Sequence, residues 1–300
     1  LFRTCRRYTR KLSFNRAEIY RLWRREQKEE ELMKRCVQIV VIALAGLLTA
    51  AAAGADVRLT GTVGAVTIDD NVIIPRDATV YLRGTIIEGN VQVRSGARLI
   101  TYGARISGNV QAVGSRLVDL REESRVSGDV QGTSTRTVRV REGSIVRGNV
   151  QIKEAVARSD VDALLVSFSR VRGDVQAEKS SGRMRVRDSR IGGNVQFVEN
   201  QTGLYAVTNN EIGGDLQHFK NDGKATFARN DVGGNLQVAE NTLGPYRIAY
   251  NQIDGDLQFF KNRGAGEILR NFVGGNLQSK ENRPQPTVQG NTVEGDIEIE

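Results

Sequence analysis

The groups in this sequence best suited to chemistry are few, and they are charged. Arg170, Arg172 and Asp174 fall within one short stretch, with Arg147 and Arg190 about one repeat before and after. An acidic side chain among guanidiniums is the kind of cluster with which polysaccharide lyases and hydrolases work on a glycan. These three are therefore the candidate catalytic residues. Asp174 also belongs to a periodic column of Asn and Asp, in which the carboxylate is structural and the arginines are solvated. That second assignment is preferred. His218 is the single histidine, and the alternation around it places it inward with Phe197, Val238 and Phe259. There is no His/Cys cluster for zinc, no Ser/His pair for a nucleophile and no glycine-rich phosphate loop. The Asn/Asp and Gln columns offer oxygens to sugar hydroxyls or Ca²⁺, but the nonapeptide Ca²⁺ signature is absent. No cofactor and no metal is expected.

The elements that position these groups follow from one short phrase. Gly89-Asn90-Val91-Gln92 recurs at Gly108, Gly128, Gly148, Gly173, Gly193, Gly214, Gly234, Gly255 and Gly275, and again as Gly295-Asp296-Ile297-Glu298. The steps are 19, 20, 20, 25, 20, 21, 20, 21, 20 and 20 residues. A fixed period of this size marks a solenoid, in which one coil cannot bury its apolar face alone. The expected fold is all-β, a right-handed parallel β-helix of about 11–12 coils of ~20 residues. At ~4.8 Å per coil, about twelve coils make a rod of roughly 55–60 Å.

A period of two places Val or Ile two residues before each Gly, the Gly itself, and the Val, Leu or Ile two residues after it on the inward face. The Asn or Asp after Gly and the Gln then face outward. The Gly is expected to be small because a side chain would crowd the core, or because it marks a bend. From Gly148 on, the position after Gly reads Asn149, Asp174, Asn194, Asp215, Asn235, Asp256, Asn276, Asp296. Six residues after Gly it reads Glu154, Lys179, Glu199, Lys220, Glu240, Lys261, Glu281. Stacked coils place equivalent side chains side by side, where like charges repel. Alternation lets Asn donate to Asp and Lys pair with Glu. Two more columns, Asn200, Asn221, Asn241, Asn262, Asn282 and Asn210, Asn230, Asn251, Asn271, Asn291, fit turns, where Asn tolerates left-handed geometry and its amides can stack along the rod. The coil from Gly148 to Gly173 is five residues longer and contains Ala163-Leu-Leu-Val-Ser-Phe168, which is either a bulged strand or a loop leaving the rod.

Charge is unevenly placed. Residues 1–55 hold 12 Lys and Arg against 5 Asp and Glu, whereas 56–300 hold 31 against 30. The basic excess lies before the repeats, so no nucleic-acid partner is expected. Inside the repeats, 89–190 hold 19 Lys and Arg against 11 Asp and Glu, and 191–300 hold 9 against 14. That segregation allows end-to-end stacking into a homo-oligomer. Glu298 and Glu300 place charge on the last strand, a pattern that guards an open edge.

Four segments are expected. Residues 1–32 are an upstream charged segment outside the mature protein. Residues 33–55 are a secretory signal peptide, with Met33-Lys-Arg-Cys36, an apolar run from Val37 to Ala53 and cleavage before Asp56. The alternative is a signal-anchor, with a charged helix over 9–31 and membrane contact only through 37–55. Residues 56–88 are opening coils with a degraded phrase, and 89–300 are the regular solenoid. Both N-terminal alternatives place the repeats across a membrane, in the periplasm, at the cell surface or secreted. Cys5 and Cys36 precede the repeats, which hold no cysteine.

Ile106-Ser-Gly-Asn-Val-Gln-Ala112 and Val126-Ser-Gly-Asp-Val-Gln131 resemble the repeats of bactofilins, bacterial polymer-forming β-helix proteins. Val273-Gly-Gly-Asn-Leu-Gln278, Asn282, Pro284-Gln-Pro286-Thr and Gly290-Asn-Thr-Val293 resemble secreted bacterial proteins with Gly-Asn-Leu-Gln-Cys repeats, with Ser279 where that Cys stands. The resemblance implies a β-helix with a structural role. Two functions follow from the sequence as expectations. One is an exported scaffold or adhesin that meets a glycan or an envelope protein. The other is a β-helix carbohydrate-active enzyme.

Overall fold

The computed structural model describes residues 56–300 apart from Thr202. They lie in one compact unit, Gly54–Glu300. The expected leader or anchor falls outside the described residues. Among the described residues there is no helix, and none long and apolar enough to cross a membrane.

The chain is a parallel β-solenoid of about 12 coils. Each coil lays one strand in each of three sheets, here A, B and C, which hold 13, 12 and 12 strands. In a representative coil, Val110–Val113 lies in sheet A, Leu117–Arg121 in sheet B and Arg125–Val126 in sheet C. Every pairing is parallel and joins equivalent residues, as in Val110↔Val130 and Gln111↔Gln131. The opening coils obey the same plan: Val57–Arg58, Gly61–Val63 and Thr67–Ile68 each begin one sheet.

Strict alternation explains the core. Val91, Val110, Val130, Val150, Val175 and Val195 form one fully buried column. One apolar core runs continuously from Ile68 to Leu277. Rows of valine suit this job, because a β-branched side chain packs well on a pleated, half-buried surface.

Four details depart from expectation. The phrase Gly does not face the core. It sits at the bend between sheets C and A, where the backbones of successive coils run close, as in Gly128 N–H to the Gly108 carbonyl at 3.1 Å. A Cβ on Gly108 would stand 2.6 Å from Asn90 Oδ1 and 2.7 Å from the Gly89 carbonyl. The residue excludes a clash with the coil below rather than with the core.

Second, the buried Asn columns are not left-handed. The positive φ belongs to the residue before each, for example Lys220 (53°) before Asn221 and Arg229 (55°) before Asn230. The corner is turned by an exposed residue, which leaves the Asn side chain pointing inside. Third, the long coil combines both alternatives. Arg158–Val161 make an excursion at the A/B corner, and the chain then rejoins sheet B as Asp162–Ser167 with a register shift at Ala163. Fourth, the Asn/Asp side chains reach along the axis to the neighbouring coil, half-buried like the Gln beside them.

Candidate functional site

Five polar columns run along the rod. Each is built where alternation and corner geometry place one residue type over another. In the column after the phrase Gly, the backbone N–H of each Asn or Asp donates to Oδ1 of its equivalent in the coil before. The links run from Asn90 to Asn71 through Asp296 to Asn276, each 2.7–2.8 Å long. Asn and Asp serve equally as that acceptor, so the backbone bond does not require their alternation. What alternation does is keep carboxylates from stacking, and it adds Asn149 Nδ2 to Asp129 Oδ1 at 3.3 Å and Asn235 Nδ2 to Asp215 Oδ1 at 3.4 Å.

On the outer face of sheet A the glutamines bond side chain to side chain. Gln151 to Gln176, Gln176 to Gln196 and Gln196 to Gln217 are each 2.7 Å. At the A/B corner Lys179 meets Glu199 at 3.7 Å, Lys220 meets Glu240 at 3.8 Å and Lys261 meets Glu281 at 3.9 Å. All six residues hold positive φ. Inside the corners, each buried Asn does three things. Asn230, for instance, donates through Nδ2 to the Val207 carbonyl (2.8 Å) and to Asn251 Oδ1 (3.0 Å), and its Oδ1 accepts the Asn210 N–H (3.1 Å).

The structure separates the candidate catalytic trio. Asp174 is a rung of the Asn/Asp ladder: Oδ1 accepts the Asn194 N–H at 2.7 Å and Oδ2 accepts from Gln176 Nε2 at 3.3 Å. Arg172 projects from the bend one residue before Gly173. Arg170 stands on the outer row of sheet C between Ile145 and Arg190. Arg190 Nε donates to Glu211 at 2.7 Å. Arg170 and Arg190 line an open groove of about 500 Å³ at the B/C corner, together with Phe168, Asp188 and Glu211. Phe168 is 58% exposed and holds a positive φ of 49°, a conformation that disfavours a bulky side chain.

His218 lies fully buried in a ring cluster, 4.6 Å from Tyr205 and 5.3 Å from Phe227 between centroids. Asn221 Nδ2 lies 3.0 Å from its Nδ1. Since Nδ2 can only donate, Nδ1 accepts and the proton sits on Nε2, which has no acceptor among the described residues. Burial pushes its pKa down to about 3. The same burial raises the Tyr205 and Tyr246 hydroxyls.

Periodicity did not point to the outer face of sheet B. There Asp119 is fully buried between two arginines. Arg121 donates from Nε (2.9 Å) and Nη2 (2.7 Å), and Arg141 from Nε (3.0 Å) and Nη2 (3.2 Å). The hydrogen bond to Asp119 holds the Arg121 pKa above its ordinary value. Two strands on, Arg185 clasps Asp162 at 2.8 and 2.6 Å. The signal was an acid on the polar side of Leu117-Val118-Asp119-Leu120, two residues before Arg121 and in register with Arg139.

No protein-family model matches the chain, and neither a curated protein nor a solved structure matches it.

Proposed function

We propose that the protein is an exported, right-handed β-solenoid that works as a scaffold or adhesin, presenting long polar faces to a glycan or an envelope protein. One observation carries this. Its most regular polar groups are consumed by axial bonding: Asx Oδ1 by the next coil's N–H, Gln by Gln, Lys by Glu. Such groups build a long, stiff surface and are not free to exchange protons with a substrate. The expected leader places that surface outside the cytoplasm. The basic and acidic halves give it a polarity along which copies stack end to end, in keeping with the resemblance to polymer-forming bactofilins.

The enzyme reading rests on the groove lined by Arg170 and Arg190. Both readings are tested by exposing the full-length protein to a polysaccharide panel while following retention and the release of reducing ends or unsaturated uronates. Retention without release is expected. Cleavage that Arg170→Gln abolishes would establish the enzyme instead.

A further inference from the structure

We propose that the outer face of sheet B between Arg83 and Arg187 is a binding track for an extended acidic polysaccharide, read through its carboxylate or sulfate groups. This rests on the reading of the rod as a binding scaffold and names its ligand class. Over that stretch the sheet B strands carry eight arginines and two carboxylates, Asp119 and Asp162. Both carboxylates are nearly or fully buried, and both are taken up by Arg121, Arg141 and Arg185. They act as internal struts: they fix guanidiniums in place without neutralising the face. A guanidinium held in position loses little rotamer freedom when a planar anion docks on it.

Two donors remain unspent. Arg139 Nε and Arg187 Nε are buried and have no acceptor among the described residues. A buried N–H without a partner is costly and calls for one. Register places these two residues diagonally across the strand Asp162–Ser167, whose outward Leu165 and Ser167 lie one strand from each. An anion seated over that floor meets a donor from either side.

The edge of the same face carries rings. Tyr102 lies between the Arg83 and Arg121 guanidiniums at 4.3 and 5.6 Å, and exposed Phe168 lies under Arg187 at 5.4 Å. Pyranose rings, which present C–H groups on one face and charge at the rim, suit such alternation of ring and cation. Arg83, Arg121, Arg141 and Arg187 share one row of the face, with Tyr102 and Ser167 between them, so at about 4.8 Å per coil the cations fall one or two coils apart, steps close to one and two sugar units of an extended chain. The rim, in contrast, is acidic: Glu122, Glu142 and Asp188 sit on the B/C corner, and Arg141 bonds Glu142 at 2.8 Å. That rim confines a polyanion to the arginine row, and single-stranded DNA is the comparison that separates a polysaccharide from a nucleic acid.

The test is fluorescence anisotropy with labelled oligogalacturonate on the full-length protein, across a salt series. Comparison probes are a neutral cello-oligosaccharide and single-stranded DNA of equal charge. Arg139→Gln combined with Arg187→Gln should weaken oligogalacturonate binding at least tenfold and flatten the salt dependence, whereas Arg139→Lys with Arg187→Lys recovers part of the loss. Arg247→Gln, on sheet B outside the track, should change nothing. Thermal melts confirm that all variants fold.

The proposal is overturned by tighter binding of DNA, by equal binding of the neutral sugar, by no binding of oligogalacturonate, or by equal loss in Arg247→Gln. It is also overturned if sedimentation shows the arginine pair controlling self-association instead. If glycans bind but the arginine variants leave binding unchanged, this track fails and the scaffold reading stands. If neither oligosaccharide nor any member of the polysaccharide panel is retained, both fail.

Discussion

The coils before about residue 190 and those after it share one backbone plan but fill and fasten it differently. In the first group the core is aliphatic, and the corners are closed by small hydroxyls such as Ser124, Ser144, Ser169 and Ser189. In the second the core holds Phe197, Tyr205, His218, Phe227, Tyr246 and Phe259, and the corners are closed by continuous Asn columns. The junction itself is bonded: Ser180 N–H donates to Asn200 Oδ1 at 2.9 Å, and Ser189 N–H to Asn210 Oδ1 at 3.1 Å. One coil earlier, Ser180 Oγ accepts the Ala155 N–H at 2.9 Å. Hydroxyl and amide thus fill one acceptor role, but Ser124, Ser144, Ser169, Ser180 and Ser189 donate within their own coil, whereas every amide donates along the axis. The corner needs an acceptor, and the amide column additionally ties each coil to both neighbours.

The largest expected difference lies in the core. Phe227→Ala should cost about 3–5 kcal/mol, because the ring's contacts and volume are both lost. Val140→Ala, in the same column, should cost about 2 kcal/mol. Denaturant unfolding monitored by circular dichroism checks the pair, and equal costs would remove the distinction between the two cores.

Next come the corners. Asn230→Ala strips partners from the Asn210 N–H and the Val207 carbonyl and should cost about 3 kcal/mol. Ser144→Ala removes one hydroxyl bond, to the Arg141 carbonyl at 2.7 Å, and should cost about 1 kcal/mol. Hydrogen exchange should show protection lost over the coils flanking Asn230 and little change around Ser144.

A third contrast is in pH. His218 is neutral when folded, with a pKa near 3 against an ordinary 6.5. Between those values the unfolded chain binds a proton that the folded chain refuses. Stability contributed by the neutral, buried ring is therefore complete above about pH 6.5 and declines as pH falls toward 3. His218→Phe, which repeats the residue of its column neighbours Phe197 and Phe259, should flatten melting temperature against pH over that window relative to the parent. An unchanged slope would show that the decline arises elsewhere. The smallest effect belongs to the surface: Lys220→Ala breaks a half-exposed pair at 3.8 Å and should cost no more than about 0.5 kcal/mol. Differential scanning calorimetry that found a cost above about 1 kcal/mol would show that the charge ladder acts as a network.

Much of this architecture was legible in the sequence, because a solenoid converts period into contact. Knowing that Gln176 follows Gln151 by one coil is enough to place one beside the other. The same arithmetic found the Asn/Asp and Glu/Lys columns. It put the phrase Gly on the inward face, since alternation describes strands, and of its two reasons for the Gly the bend is the one that holds. It put the Asn columns at turns with their amides stacked along the rod, as they are, but gave them the left-handed φ on residue preference, and so missed that the residue before each, in most coils an exposed Glu, Lys or Arg, turns the corner. The Asp119 and Asp162 clasps were hidden for a different reason. They join residues two apart on one strand or diagonal across coils, so no column of like residues announces them.

The alternation of Glu with Lys and of Asn with Asp also bears on inheritance. Excising the single coil that carries Asp215 and Lys220 would set Glu199 against Glu240. Excising that coil together with the next would set Glu199 against Lys261 and Asn194 against Asp256, and both patterns would survive. Lengthening or shortening this half of the rod is therefore least disruptive by two coils at a time. Related chains of different length should differ by steps of about 41 residues, an even–odd rule written into the surface of the molecule.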